Sequence, residues 1–209
     1  MPELAFDIVD AKPDPYGAAP TMLFTLRIAE TSGDSIHTMV LRSQIQIDAQ
    51  LRSYSDDEKA RLGDLFGLKE RWGDTLRPFN WTNATTMVQG FRGSTEVDIA
   101  VPCTYDFDVA AAKFMQGLSD GVVPLSFLYS GTAISRGATG YAVSQIPWHK
   151  ESTFPLPVET WQALMNTYFP GTAWLRVRND TFGALTERRV AGGFASWDEM
   201  FDAEIGAPP

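Results

Sequence analysis

The stretch VPCTYDFDVAAAKF, residues 101–114, places the chain's one cysteine where an alternating apolar pattern gives way to a helical one. Strand-to-helix corners present the nucleophile in many enzymes, and a thiol is activated when a histidine or a helix N-terminus lowers its pKa. Cys103 stands just before Asp106, the expected cap of a helix over 107–118. His149, in PWHKES, is the candidate base, with Glu151 to orient it; His37 is the other histidine. The rival reading is corner packing. Pro102 holds Val101 extended, so Cys103 ends a strand with its side chain in the core, and Asp106 sets negative charge near any thiolate. The residue types favour the buried thiol and leave Cys103 with His149, as a small cofactor-independent thiol enzyme or hydrolase, as the alternative.

Binding chemistry points elsewhere. RWGDTLRPFNWT, residues 71–82, has no period of a helix or strand and gathers Arg71, Trp72, Arg77 and Trp81. Tryptophan and arginine are enriched at protein-binding hot spots, and Tyr105 of the adjoining 102–106 turn extends the same candidate surface. In the competing reading both indoles plug the ends of the fold and the arginines pair with local acids such as Asp74. A third possibility is a carrier whose apolar pocket is lined by Phe24, Phe127 and Trp148.

Cofactor signatures are missing. No G-x-x-x-x-G-K-[ST] loop, no G-x-G-x-x-G and no metal-ligand spacing of Cys or His occurs, so neither a cofactor nor a metal is expected. The 26 acidic against 17 basic residues give a net charge of −9, which argues against nucleic acid and against an anionic membrane surface. No apolar run reaches the roughly 20 residues of a membrane span, the N-terminus is unlike a signal peptide, and one cysteine suits a reducing compartment. A cytoplasmic protein is expected.

Alternation predicts strands at 4–9, 22–28, 41–47, 85–91, 95–101, 122–130 and 139–147. Ser32-Gly33-Asp34 reads as the turn of a hairpin joining 22–28 to 41–47, and 139–147 is expected to pair with 122–130. Ser55 to Glu58 is a capping box opening a helical insert at 55–67. Further helices are expected at 157–168, after Asp180 and after Ser196. The chain therefore reads as one α+β domain over 1–209. Its β-rich part, 1–150, is an antiparallel β-sandwich-like or strongly bent sheet, covered by the insert and by a helical part at 155–205.

The segments FGLKERWGDTLRPFNWT, GSTEVDIAVPCTYDFDVAAAKF, GVVPLSFLYSGT and PVETWQALMNTYFPGTAWLRVRND resemble a bacterial family of about this chain's length, typical of actinobacteria and classed as a domain of unknown function. The resemblance runs over nearly the whole chain and carries no assigned site residues. It implies an accessory or assembly role beside uptake nickel–iron hydrogenases, hence a protein partner such as a hydrogenase or maturation protein. The lack of Cys and His clusters argues that the chain does not itself carry the metal.

Overall fold

The computed structural model describes residues 2–104, 109–137, 140–172 and 177–206. They form two compact units, 1–171 and 172–209. The first is an α+β sandwich of two antiparallel sheets. Strands β1 (Leu4–Pro13), β2 (Thr21–Glu30) and β5 (Ser94–Pro102) form one sheet in the order β1-β2-β5. In the other, β3 (Ser35–Ile47) lies between β4 (Phe79–Arg92) and β6 (Val122–Gly137), and β6 also pairs β7 (Gly140–Gln145) and β8 (Glu151–Pro157).

Alternation buries one side of each sheet. Met22, Phe24, Leu26 and Ile28 of β2 are fully buried, and they face Val123, Leu125, Phe127 and Tyr129 of β6 across the core. Aromatic rings lock the layers together: Phe6 stacks on Tyr129 at 4.6 Å, and Phe24 meets Phe127 edge-on at 5.2 Å. Burying an aromatic or aliphatic side chain of this size contributes about 1.5–3 kcal/mol, so this seam dominates the stability of the unit.

The expected hairpin between β2 and β3 does not form. Both edges of β2 are taken, by β1 and β5, while β3 pairs with β4 and β6, so residues 31–34 carry the chain from one sheet to the other. A second crossing, at Gly93, runs from β4 to β5. Glu30 holds both. Its backbone N–H donates to the Gly93 carbonyl at 2.6 Å, and its carboxylate accepts from the backbone N–H groups of Glu3, Ser32 and Gly33 and from the Ser32 hydroxyl. Burial alone would push the Glu30 carboxyl up, but these hydrogen bonds outweigh it and hold the pKa below the usual carboxylate value.

The pairing of β6 also differs from expectation. Residues 132–137 pair with β7, whereas 122–128 pair with β8, a strand whose two prolines and short run hid it from the pattern. Between β7 and β8, residues 146–150 form an excursion tied to β6 by Ile146 N–H to Gly131 and by Tyr129 N–H to Lys150.

Helices complete the first unit. The insert contains α1 (Asp56–Arg61) and α2 (Gly63–Phe66), and both bonds of the Ser55–Glu58 capping box are present. Arg52 reaches the buried Glu58 carboxylate at 2.9 Å, and Ser119 N–H donates to the same oxygen. The segment read as an aperiodic loop contains α3 (Trp72–Thr75) and the start of β4. Next comes α4 (Val109–Gly117); Asp106, its expected cap, lies outside the described residues. Val158, Trp161, Leu164 and Met165 of α5 (Val158–Tyr168) are buried. In the second unit, α6 (Asn179–Ala191) and α7 (Trp197–Ile205) are joined by Arg188 Nε donating to Glu204 at 2.8 Å. Asp180 sits inside the first turn of α6 rather than capping it, and Ser196 caps α7 by accepting from Glu199 N–H. Among the described residues no helix is long and apolar enough to cross a membrane.

Candidate functional site

At the end of β5 the chain turns inward. Cys103 is 7% exposed, and its thiol donates to the Val101 carbonyl at 3.4 Å. Burial pushes the thiol pKa up to about 12, only partly opposed by a backbone hydrogen bond from Met22. An activated thiol needs the opposite shift. The space beside it measures about 10 Å3, lined in part by Trp81, Met115 and Trp161. That admits no more than about one water. His149, the candidate base, is exposed on the 146–150 excursion, where its ring meets Trp148 edge-on. A buried thiol and an exposed imidazole do not make the pair that the alternative needed.

The aromatic segment also sorts itself by burial. Trp72 packs edge-on against Tyr54 and Phe66, and its indole N–H donates to the Gly67 carbonyl at 3.0 Å. Trp81 lies against Phe24 in the core. Neither indole offers a face to a partner, which corrects the expectation of an aromatic surface at these two residues: they plug the sandwich. Arg71 and Arg77 are exposed, and Arg77 Nε bonds the Asp74 backbone carbonyl rather than its carboxylate. Arg77 borders a shallow groove of about 260 Å3 whose floor includes Phe66 and Phe79. Tyr105 lies outside the described residues. The three residues of the supposed carrier pocket separate as well. Phe24 and Phe127 are fully buried, whereas Trp148 is 90% exposed.

A surface absent from the sequence reading lies on the outer side of the second sheet. Register sets it in rows across the strands. Val40 of β3 lies beside Met87 of β4 and Thr132 of β6; in the next row Ile134 of β6 lies between Thr38 of β3 and Val143 of β7. Met87 and Val143 are 65% and 69% exposed, and Val40 and Tyr141 are also open to solvent. Two glycines permit this geometry. A bulge at His37 lets β3 bring Ile36 back into the core, and it needs Gly90 opposite: a Cβ there would lie 2.7 Å from the His37 carbonyl oxygen. Gly131 has φ +138°, and a Cβ on it would lie 2.1 Å from the Val40 carbonyl oxygen.

Charge flanks the apolar rows. Arg92 and Arg136 sit on either side of Ser35 at one end, and Arg42, between Thr85 and Ser130, marks the other. None of these guanidinium groups pairs with a carboxylate among the described residues. No Asp or Glu occurs in β3, β4, β6 or β7. That gap was the available sequence signal, since it is conspicuous in so acidic a chain.

A family profile described as a family of unknown function, DUF6084, matches residues 1–206. The chain belongs to the DUF6084 family. Comparison of this DUF6084 member with curated proteins gives no match. Among solved structures, a β-glucosidase from Kluyveromyces marxianus is 10% identical over 75% of the chain, with a TM-score of 0.26. β-Glucosidase 3B from Thermotoga neapolitana, in complex with α-D-glucose, is 12% identical over 74%, with a TM-score of 0.27. The DUF6084 chain spans 15% and 17% of those two chains, and TM-scores this low mark backbones that superpose poorly.

Proposed function

We propose that the protein is a non-catalytic binding module that docks a polypeptide on the outer face of its second sheet, acting as an accessory or assembly factor. The observation that carries this reading is the set of exposed apolar side chains, Val40, Met87, Tyr141 and Val143, on β3, β4 and β7 of one sheet, bridged by the half-buried Ile134 of β6. Apolar side chains scattered singly on a surface need no explanation, but a contiguous set on one face marks a docking site. The buried, unactivated Cys103 favours binding over thiol chemistry. A nickel–iron hydrogenase system in the cytoplasm, implied by the family resemblance, is the first place to seek the partner.

The test compares tagged full-length protein with Val143→Asp, both expressed in the native host. Hydrogenase or maturation polypeptides recovered with the wild type and lost with the variant support the reading. Equal recovery with both, or no such polypeptide with either, overturns it.

A further inference from the structure

We infer that the occupant of this face is an acidic polypeptide segment with an apolar centre, its carboxylates set about 20 Å apart. The inference rests on the docking reading above and adds the chemistry of the partner. The spacing follows from the rows. Arg136 and Ser130, which pairs with Arg42, stand six residues apart on β6, and a strand rises about 3.3 Å per residue. Between them the face offers Val40, Met87, Ile134 and Val143 and no charge. A matching segment carries apolar side chains in its middle and a carboxylate toward each end.

Charge selects the partner. The chain as a whole, at −9, repels an acidic segment, so these strands are a local reversal of sign. Glu151, beside Leu128 of β6, is the nearest strand carboxylate in the register, one row beyond Arg42. Among the described residues the arginines end the face without carboxylate partners and need few local contacts broken before binding; Arg136 lies over the Tyr141 ring, 6.0 Å from its centroid. A second copy stacked by the same face fits badly. Both ends are cationic, so arginines would meet arginines in either orientation. Nucleic acid fits badly too, because an uncharged apolar centre makes no phosphate contacts.

The experiment is selection of a random peptide library on full-length protein, with counter-selection on the folded Val143→Asp variant. Enriched peptides are then synthesised and titrated against wild type, Val143→Asp and Arg42→Glu/Arg136→Glu. The expected result is net-acidic peptides with an apolar middle, bound about tenfold more weakly by the double charge reversal, and more weakly by wild type as salt rises. Neutral or basic peptides that are lost with Val143→Asp but indifferent to the arginine changes overturn the acidic partner and leave the docking reading standing. No peptide dependent on Val143 overturns both. A short single-stranded DNA bound by wild type and lost on charge reversal, or wild-type protein that self-associates through this face in sedimentation, also overturns the acidic polypeptide.

Discussion

The two sheets of the sandwich turn opposite faces to solvent. On the outer side of the first, Asp7 and Asp10 of β1 and Glu96 and Asp98 of β5 flank β2. Much of that charge is already engaged: Arg27 bonds Glu96 at 2.9 Å, and the Thr25 hydroxyl bonds Asp98 at 2.7 Å. The second sheet has no acid in β3, β4, β6 or β7, arginines at its ends that pair with no carboxylate among the described residues, and bare apolar side chains between them. Inside, both sheets follow the same rule of alternation. The contrast teaches that packing dictates only one side of each strand and leaves the other to vary. Inward residues are held by packing, whereas a strand's outward residues are free to differ, and the second sheet leaves Val40, Met87, Tyr141 and Val143 exposed there.

The sharpest way to break the comparison is through the backbone of the second sheet. Gly131→Ala places a Cβ against the Val40 carbonyl at a positive φ, and the expected loss is about 3 kcal/mol or more in urea unfolding. An Ala→Gly change at Ala100, on the outer side of the first sheet, costs about 1 kcal/mol or less. Similar stability for the two variants would refute the close approach.

Glu30→Ala removes the acceptor that holds the 31–34 crossing and the Glu3 N–H, and leaves several donors unsatisfied. The expected cost is about 1–3 kcal/mol, read as a lower Tm. The sign of the acid response follows from the lowered pKa values of Glu30 and Glu58. The unfolded state binds these protons first as pH drops, so the stabilisation is complete above the unfolded value of about 4.3 and fades as pH falls through the lower folded values. Glu30→Gln should flatten part of that acid limb; an unchanged limb would show that the clamp is absent.

Cys103 gives a response in the alkaline direction. Its folded pKa is raised, so above the unfolded thiol value of about 8.5 the unfolded state loses a proton that the native state keeps, and stability declines. Alkylation by iodoacetamide at pH 8 should be slow in native protein and fast after unfolding; rapid native labelling would contradict the burial. The smallest effects belong to the outer faces. Arg27→Gln on the first sheet and Val143→Asp on the second should each change stability by about 0.5 kcal/mol or less. Only the second should abolish partner recovery, and loss with both would erase the distinction between the faces.

Local signals were legible wherever a few neighbouring residues decide the outcome. Ser55 and Glu58 formed the capping box as their spacing required, and Phe24, Leu26 and Ile28 went inward as their alternation required. The candidate site was far less legible. Trp72 and Trp81 could be read as hot spots or as plugs, because residue type records the size of an indole and not whether a Tyr54 or a Phe24 covers it. The outer patch went unread although its charge gap was visible, because Val40, Met87, Ile134 and Val143 are far apart in the chain and become neighbours only through register.

By itself the sequence determined the class of object: an acidic α+β chain whose strands carry an apolar side and in which α1 and α7 start at recognisable serine caps. Those properties depend on interactions within a few residues, which composition and period report directly. Tertiary structure alone decided which strands pair, that residues 31–34 cross between sheets instead of turning a hairpin, and that Trp72 and Trp81 are covered by Tyr54 and Phe24. It also decided that the apolar outward residues share one face. The physical reason is that a strand offers the same hydrogen-bonding edge to any partner; the choice is made by how all the apolar sides close over one another at once.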